Sequence, residues 1–565
     1  MIDTVKTLRQ HRLIAFSLVI LAAHAAPAAD SAGELHALIA SSRESGNAPL
    51  DRWPDLGLKT LRGLEASDRA ALQKLRAIPR GGLTSEDRTL YDLLEWSLNR
   101  RLEQFRLRLY LTPFWRDFRY ASNAHLLDTA AGLEREPQRK ASYPAHVTQV
   151  IALMREAARE RMLPARELVR PYVEDCAARS AAAPPEARQA AGSFCGVLRD
   201  EYYPACPESR SLTGWPNGAE VYRELVRANT TTGLDPREVH QFGLREVARI
   251  RAAMLPVIAR TGYQGSLDEF LAYARTDSRF YFTSGGDLLA AYRAALDRIV
   301  PLLPRVIGHI PHRPLEVRPY SGSVAAMWHA PQPGQYGSVI YVATDAPEIH
   351  PKFEIVSLML HEGLPGHELQ HAVADEFDAS HGDPLTAFAR EAGQNLAYAE
   401  GWALYSEGLG REMGLYADPY DEFGELRWEL TRAVRVVIDT GIHELGWSGS
   451  QAKDYFLKQT GKPEAEVNGE ISRTLWPGGQ LAYKVGQFRL QQMREATSRA
   501  LGPHFDLRAF HDAVLRWGPL PLDILDRKLN ECLDVPACRG ALGGAGAPDH
   551  RFSSAAAPAI PASLP

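Results

Sequence analysis

The sequence predicts a mainly α fold with one small β element, and three observations predict it. Apolar residues recur at steps of three and four from Gly33 to about Val300, as in the run Glu86 to Tyr110, which is the spacing of amphipathic helices. Between Pro311 and Asp345 the pattern changes to short runs of β-branched and aromatic residues beside Gly and Pro. Helical spacing resumes at Pro351 and continues to about Leu529.

The composition is that of a globular protein. The chain has 565 residues, of which 45% are hydrophobic and 24% are charged, so it can bury a large core. Its net charge of -5 offers no basic surface field, and we therefore expect no nucleic-acid partner. The tail at 540–565 is rich in Ala, Pro and Gly and is predicted to be disordered.

Residues 1–28 have the pattern of a secretory signal peptide. Lys6, Arg9 and Arg12 precede an apolar run of about eleven residues, Leu13 to Ala23, and small residues follow it. This run is too short for a membrane span, and no cysteine follows it, so we expect neither stable membrane insertion nor a lipoprotein anchor. The mature protein is predicted to be soluble and periplasmic or secreted.

The five cysteines fit an oxidising compartment. Cys532 and Cys538 are six positions apart, and Cys195 and Cys206 are eleven apart, so either pair is a candidate disulfide that would leave Cys176 over. Five buried thiols are the alternative. No CxxC spacing occurs, which disfavours a thiolate zinc site.

The predicted β element contains two runs, "LEVRPY" and "YGSVIYVAT". We expect the second, near Tyr336 to Thr344, to form an edge of a cleft, where an extended peptide could add by main-chain pairing.

The stretch "LHEGLPGHELQH", Leu360 to His371, permits two metal-site interpretations. In the first, His367 and His371 are the ligands of an HExxH motif and Glu368 is the general base; spacing favours this reading, because residues four apart share a helix face. Its weakness is the pair Pro365-Gly366 directly upstream, since Pro interrupts a helix interior.

In the second interpretation, "HEGLPGH", the ligands are His361 and His367 and the base is Glu362. On an ideal helix, residues six apart are about 120° out of phase and roughly 9 Å apart along the axis. Both can bind one ion only if the backbone bulges, and Pro365-Gly366 could enforce such a bulge.

A zinc hydrolase needs a third ligand, and the apolar stretch "NLAYAEGWALYSEG" offers two glutamates. Glu400 is the predicted ligand, because it follows His367 by 33 residues, enough for a turn and a returning helix. Glu407 lies seven positions further on the same helix face and is predicted to support a ligand from behind, with ligation by Glu407 itself as the alternative.

Five blocks carry a family resemblance: "HEGLPGHELQ", "AEGWALYSE", "RAVRVVIDTGIHELGWS", "WPGGQLAYKVGQFRL" and "FHDAVLRWGPLPLDIL". In this order they resemble the bacterial family of unknown function 885, whose members resemble zinc metallopeptidases. The resemblance implies a large helical metallopeptidase-like fold, similar to the thimet oligopeptidase and carboxypeptidase Taq families, with an N-terminal helical region at 29–310 and a catalytic region at 311–539. It also favours the "HEGLPGH" interpretation and Zn²⁺ as the metal.

Further site residues are predicted from the chemistry of peptide hydrolysis. Tyr483 is the candidate donor to the oxyanion, with a core tyrosine as the alternative. His443 and Arg473 are candidate substrate contacts, and Arg473 suits a substrate carboxylate through a paired hydrogen bond. Asp439 is expected to pair with Arg435, four residues earlier. His511, on an apolar stretch, is interpreted as a hydrogen-bonded core histidine.

The predicted function is a zinc-dependent hydrolase that cleaves peptide bonds of short or unfolded peptides, with metal-activated water and a glutamate base. Two alternatives stay open from the sequence: a zinc amidohydrolase or esterase on a non-peptide substrate, and a catalytically inactive binding protein. A peptide is the only partner that the sequence predicts, and oligomeric state, substrate length and exo- or endo-cleavage do not follow from it.

Overall fold

The computed structural model describes residues 28–46, 53–112, 114, 141–322, 324–331, 337–381, 384–393 and 395–543. Helices dominate these residues, and three short strands form one small sheet, which confirms the predicted mainly α fold with a small β element. The predicted signal peptide lies outside the described residues, apart from Ala28, where the first helix begins. Within the described residues, no helix is long and apolar enough to cross a membrane.

Helices precede the sheet. They are α1 Ala28–Gly46, α2 Leu58–Ala77, α3 Ser85–Arg106, α4 Tyr143–Arg159, α5 Arg166–Ala181, α6 Pro185–Val197, α7 Tyr203–Ala205, α8 Gly218–Thr230, α9 Pro236–Arg260, α10 Leu267–Thr276 and α11 Gly285–Ile299. Local capping chemistry sets several of their starts. Asp235 and Ser266 each form a capping box with a glutamate three residues later, Glu238 and Glu269.

The sheet contains β1 Leu315–Tyr320, β2 Ala326–His329 and β3 Ser338–Ala343. The strand order is β1-β3-β2; β3 pairs in parallel with β1 and antiparallel with β2, with Trp328 opposite Ile340. The expectation that the strand near 336–344 forms the cleft edge is therefore wrong. That strand is central and its main chain is paired on both sides, and β2 is an edge strand of the sheet.

Helices follow the sheet to the end of the described chain. They are α12 Ile355–Glu362, α13 His367–His381, α14 Pro384–Gly393, α15 Leu396–Gly408, α16 Gly410–Met413, α17 Pro419–His443, α18 Gly449–Thr460, α19 Glu464–Ser472, α20 Leu481–Leu501, α21 Leu507–Arg516, α22 Leu522–Asp534 and α23 Pro536–Leu542. The last helix extends two residues past Gly540, where the disordered tail was predicted to begin, and Leu542 is buried. Residues 544–565 lie outside the described residues.

The largest buried cluster joins both halves of the chain. It combines Leu35 and Leu94 of the first helices with Ile340 of β3, Met359 of α12 and Leu525 of α22. The helices predicted as an N-terminal region thus pack directly on the elements that carry the candidate site, and burial of this shared apolar surface holds the site in place.

Two disulfides are present among the described residues, Cys176–Cys195 and Cys532–Cys538. The second confirms one predicted pair. The predicted pair of Cys195 with Cys206 is wrong, because α5 and α6 pack side by side and bring Cys176 to Cys195, whereas Cys206 is a buried thiol.

Candidate metal centre

The motif "HEGLPGH" folds as a helix, a four-residue turn and a second helix. α12 ends at Glu362 and α13 begins at His367, so the backbone breaks where a bulge in one continuous helix was expected. Gly363 leaves the helical conformation with φ −104° and ψ −117°, and the Leu364–Pro365 peptide bond is cis. Gly366 packs so closely against α12 that a Cβ atom there would collide with the carbonyl oxygen of His361.

This turn brings three candidate ligands together. One donor atom each from His361, His367 and Glu400 lie within 4.8 Å of one another. The Glu400 carboxylate lies 3.5 Å from Nε2 of His361 and 3.5 Å from Nε2 of His367. A tetrahedral zinc ion with bonds of about 2.0–2.2 Å sets its donor atoms roughly 3.4 Å apart, so the donor set and its spacing fit zinc.

The HExxH interpretation does not fit the structure. Glu368, its candidate base, is 1% exposed and accepts hydrogen bonds from Nε1 of Trp328 at 2.6 Å and Nε of Arg313 at 2.7 Å. His371, its second ligand, stacks on Trp328 with ring centroids 4.3 Å apart and is not a member of the ligand cluster. Both residues are engaged in side-chain contacts that the spacing alone does not reveal.

Glu400 reaches the histidines because α15 packs tightly against its neighbours. An ideal Cβ at Gly401 would lie 2.5 Å from Cα of Gly486 in α20, so the two helices approach at a distance that only glycine permits. On the other side, Trp402 donates from Nε1 to the carbonyl oxygen of Pro365 at 2.8 Å. The ligand helix is thereby fixed directly to the turn between the two histidines.

A buried carboxylate supports His361 from behind. Glu407 is 1% exposed, and its Oε1 lies 2.8 Å from Nδ1 of His361. Its other oxygen accepts from the Ser357 hydroxyl at 2.5 Å, and Arg432 lies 3.4 Å from Oε1. This contact orients the ring and leaves Nε2 directed toward the ligand cluster, which is the arrangement predicted for Glu407 and typical of metal-binding histidines.

The charges of the cluster are balanced by mutual contact. Burial lowers the pKa of His361, but hydrogen bonds to Glu400 and Glu407 outweigh it and raise the pKa to about 9. Burial opposes ionisation of Glu400, but the contacts with His361 and His367 hold the pKa of its carboxyl well below its usual range. The site therefore favours a carboxylate that can face a cation.

The base candidate, Glu362, lies beside the cluster at the end of α12. Its Oε2 accepts a hydrogen bond at 3.0 Å from the main-chain N–H of Trp328 in the edge strand β2. Its side chain is only partly buried, whereas its neighbour His361 is 3% exposed. Glu362 is thus oriented by the sheet and keeps part of its surface exposed to water.

Residues 40–529 match the family described as "Bacterial protein of unknown function (DUF885)". The chain belongs to this family. Two solved structures of proteins described as putative lipoproteins share its fold. One, from Colwellia psychrerythraea, has a TM-score of 0.71 and 22% identity, and the other, of unknown function from Shewanella oneidensis, has a TM-score of 0.64 and 18% identity. Each match covers 89% of this chain and 99% of the other. No curated protein matches the chain.

In this DUF885 protein the predicted oxyanion donor, Tyr483, lies within electrostatic reach of the ligand cluster. Burial, followed by the charge of Glu400, raises the pKa of the Tyr483 phenol to about 12, so the hydroxyl remains a donor at neutral pH. The guanidinium groups of Arg435 and Arg432 lie 5.2 and 5.9 Å from its ring centroid. These arginines were not predicted as site residues, since a buried arginine is recognised only once its partners are known.

Arg473, the predicted carboxylate contact, retains an open guanidinium. Its side chain is 46% exposed, and the nearest carboxylate, Glu470, is 3.7 Å away from its Nε. Glu470 instead binds Arg435, which donates from Nε at 2.5 Å and from its terminal nitrogen at 2.7 Å. The charge of Arg473 also acts on the Tyr483 phenol, so both residues belong to the same part of the molecule.

His443, a predicted substrate contact, is not among the residues of the ligand cluster. It is 1% exposed, its Nε2 lies 2.8 Å from the Thr474 carbonyl oxygen, and burial lowers its pKa to about 4. A buried neutral ring bound to the main chain is unsuited to the predicted contact with substrate, and we assign His443 to the support of the segment beside Arg473. His511 is confirmed as a core histidine, since it is fully buried and contacts the Tyr405 hydroxyl and the Val306 carbonyl, each through one ring nitrogen.

The predicted pair of Asp439 with Arg435 is wrong. Asp439 accepts hydrogen bonds from the Tyr222 hydroxyl at 2.6 Å and from the Gly478 N–H at 3.0 Å. Burial raises the pKa of Asp439 to about 7. Helical spacing allows the pair with Arg435, but Glu470 on α19 accepts from Nε and one terminal nitrogen of that arginine, so the long-range partner displaces the local one.

Proposed function

We propose that this DUF885 protein is a zinc-dependent hydrolase that cleaves peptide bonds of short or unfolded peptides. The observation that carries the proposal is the convergence of His361, His367 and Glu400 within 4.8 Å, with the partly exposed Glu362 next to His361 in the chain. Two imidazoles and one carboxylate are a common ligand set of catalytic zinc, and such sites keep a position open for water. When bound, zinc supplies Lewis acidity to that water and to the substrate carbonyl.

The residues of the chain have distinct tasks in the proposed reaction. Glu362 takes a proton from the attacking water and delivers it to the leaving amine, and its hydrogen bond to Trp328 keeps the carboxylate oriented. Tyr483 donates its phenolic O–H to the oxygen that gains negative charge. Arg473 binds a carboxylate of the substrate through its exposed guanidinium.

We further propose that the protein works outside the cytoplasm. Two disulfides support this location, because such bonds persist in oxidising compartments. The proteins from Colwellia psychrerythraea and Shewanella oneidensis that share its fold are both described as putative lipoproteins, which is consistent with the same compartment.

Metal analysis of purified variants tests the ligand set. We expect one zinc ion per chain in the wild type and its loss in His361→Ala, His367→Ala and Glu400→Ala. His371→Ala is the matched control, since it removes a histidine of the same motif that lies outside the cluster, and it should retain the metal. Metal loss in His371→Ala, with retention in His361→Ala, would contradict the assigned site.

Peptide cleavage tests the reaction. A panel of unmodified peptides should be cleaved by the wild type, and Glu362→Gln should reduce kcat by about two to four orders of magnitude, the contribution of general acid–base catalysis. The variant should retain zinc, because Glu362 is not among the ligands. Cleavage of esters or non-peptide amides alone would replace the peptide assignment, and zinc-free protein with no hydrolysis would indicate a binding protein.

A further inference from the structure

Glu368, the glutamate of the second His-Glu pair, takes no part in the proposed ligand set, yet it is almost fully buried. A buried carboxylate needs donors or a cation to offset its lost hydration. Glu368 has two, the indole N–H of Trp328 at 2.6 Å and the Arg313 guanidinium at 2.7 Å. Arg313 also contacts Asp375 at 2.6 Å, so both carboxylates that Arg313 contacts, Glu368 and Asp375, lie on α13.

Trp328 connects this pair to the base. Its main-chain N–H donates to Glu362 at 3.0 Å, while its side-chain N–H donates to Glu368. Its ring is stacked on His371 at 4.3 Å and is tilted against the ligand His367 at 6.5 Å. One residue therefore contacts the base, the buried carboxylate and the helix face that carries a metal ligand.

The strand that presents this N–H is short and paired on one side. β2 has four residues, Ala326–His329, and its described strand partner is β3. An edge strand of this length has few ladder hydrogen bonds of its own. The contact of Trp328 with Glu368 is an additional attachment, and it lies at the residue whose amide orients Glu362.

We propose that Trp328 is a positioning residue for Glu362, and that Glu368 together with Arg313 holds Trp328 in place. The inference rests on the proposed function, since Glu362 must be the base for its orientation to affect catalysis. It assigns a role to the glutamate of the HExxH sequence: this group stabilises the edge strand that orients the neighbouring base.

Kinetics of matched variants test the proposal. Trp328→Phe keeps an aromatic ring and the main-chain N–H and removes the indole donor together with part of the ring, so kcat should fall about tenfold, as for the loss of a hydrogen bond to a charged group. KM should change less than about twofold and zinc content should not change, because neither substrate nor metal contacts are removed. Trp447→Phe is the control, since Trp447 packs on His240 and Tyr455, and it should keep the wild-type kcat.

A double-mutant cycle separates a specific coupling from general destabilisation. Glu368→Gln leaves one acceptor oxygen for two donors and should also lower kcat about tenfold. Adding Trp328→Phe to it should cause no further loss, because both changes break the same contact. A loss of kcat near a hundredfold in the double variant, which is the product of the two single losses, would overturn the proposal.

A measurement on metal-free protein makes the contact itself visible. The chain has 10 tryptophans, and incorporation of 5-fluorotryptophan should give one fluorine resonance from each. Trp328→Phe identifies the resonance of Trp328, and Glu368→Gln should shift it. The control Glu429→Gln, at a buried glutamate bound to Lys484, should leave it in place.

The outcomes distinguish this inference from the proposed function. An unshifted Trp328 resonance in Glu368→Gln, or a wild-type kcat in Trp328→Phe while peptides are still cleaved in a Glu362-dependent way, would overturn the positioning role alone. A wild type that binds zinc but cleaves no peptide would overturn both.

Discussion

Replacing Glu407 by glutamine should weaken zinc binding although Glu407 is not a ligand. Its carboxylate contacts Nδ1 of His361 at 2.8 Å and the Ser357 hydroxyl at 2.5 Å, and Arg432 lies at 3.4 Å. Glutamine has the same shape but one acceptor oxygen, so these donors lose a charged acceptor. The ring of His361 then loses its fixed orientation toward the metal.

The magnitude follows from the contacts that are lost. One hydrogen bond to a charged group is worth about 1.5–3 kcal/mol, or roughly 10–100-fold in affinity, which is also the usual effect of residues that hold a metal ligand from behind. Proton competition reduces the apparent loss near neutral pH. The pKa of His361 is raised to about 9, partly by Glu407, so zinc must displace a proton in the wild type and does so more easily in the variant.

Zinc affinity of Glu407→Gln should therefore be measured by chelator competition near neutral pH and again above pH 9, where His361 is neutral in both proteins. We expect the larger loss at the higher pH. The control is Glu429→Gln, which removes the charge of a buried glutamate that contacts Lys484 at 2.6 Å and no ligand. Equal zinc affinity in Glu407→Gln and wild type at the higher pH, with an intact fold, would refute the reasoning.

Three other predictions follow from the same geometry. In protein freed of zinc by a chelator, the raised pKa of His361 stabilises the fold by on the order of 3 kcal/mol; this contribution is present below about pH 6.5 and is lost as pH rises through about 9. The free energy of unfolding measured in urea should therefore fall over this pH range in the wild type and not in His361→Ala. Tyr483→Phe should lower kcat about a hundredfold and leave the zinc content and KM little changed. Because burial and Glu400 raise the pKa of Tyr483 to about 12, the wild-type kcat should show no loss from phenol ionisation up to about pH 11. Equal kcat in the two proteins would remove Tyr483 from the mechanism. Gly366→Ala should lose zinc and lower the melting temperature by several degrees, because the added Cβ would collide with the His361 carbonyl. Gly469→Ala, at an open helix position, is the control and should do neither. Melting curves and metal analysis of both variants test this expectation.

Much of the site could be predicted from a short segment of chain. "HEGLPGH" predicted His361, His367 and Glu362, and the structure brings both histidines together beside that glutamate. Pro365-Gly366 was predicted to re-phase the second histidine, and only the form of the change differs: the helix ends and restarts where a bulge was expected. Local spacing and backbone preference predicted that the chain must change its course between the two histidines, whereas the preference for "HEGLPGH" over HExxH came from the family resemblance.

The rest depended on packing between distant segments. The choice between the two motif readings was decided by Trp328 and Arg313, which lie 40 and 55 positions from Glu368 and occupy its carboxylate. The partner of Cys195 and the central position of β3 likewise depended on which elements pack side by side. Helical periodicity shows that a helix has a buried face and leaves open which other element covers it.

The sequence by itself determined the mainly α class and the two alternative motifs that contain His367, because period and spacing act within a few turns of one chain segment. Only the tertiary structure decided that Glu400 reaches those histidines, that Glu407 supports one of them, and that Glu368 binds Trp328. Those contacts arise where elements distant in sequence pack closely enough for buried charges to find partners, as where α15 and α20 approach at Gly401 and Gly486, and that approach depends on the packing of the whole core.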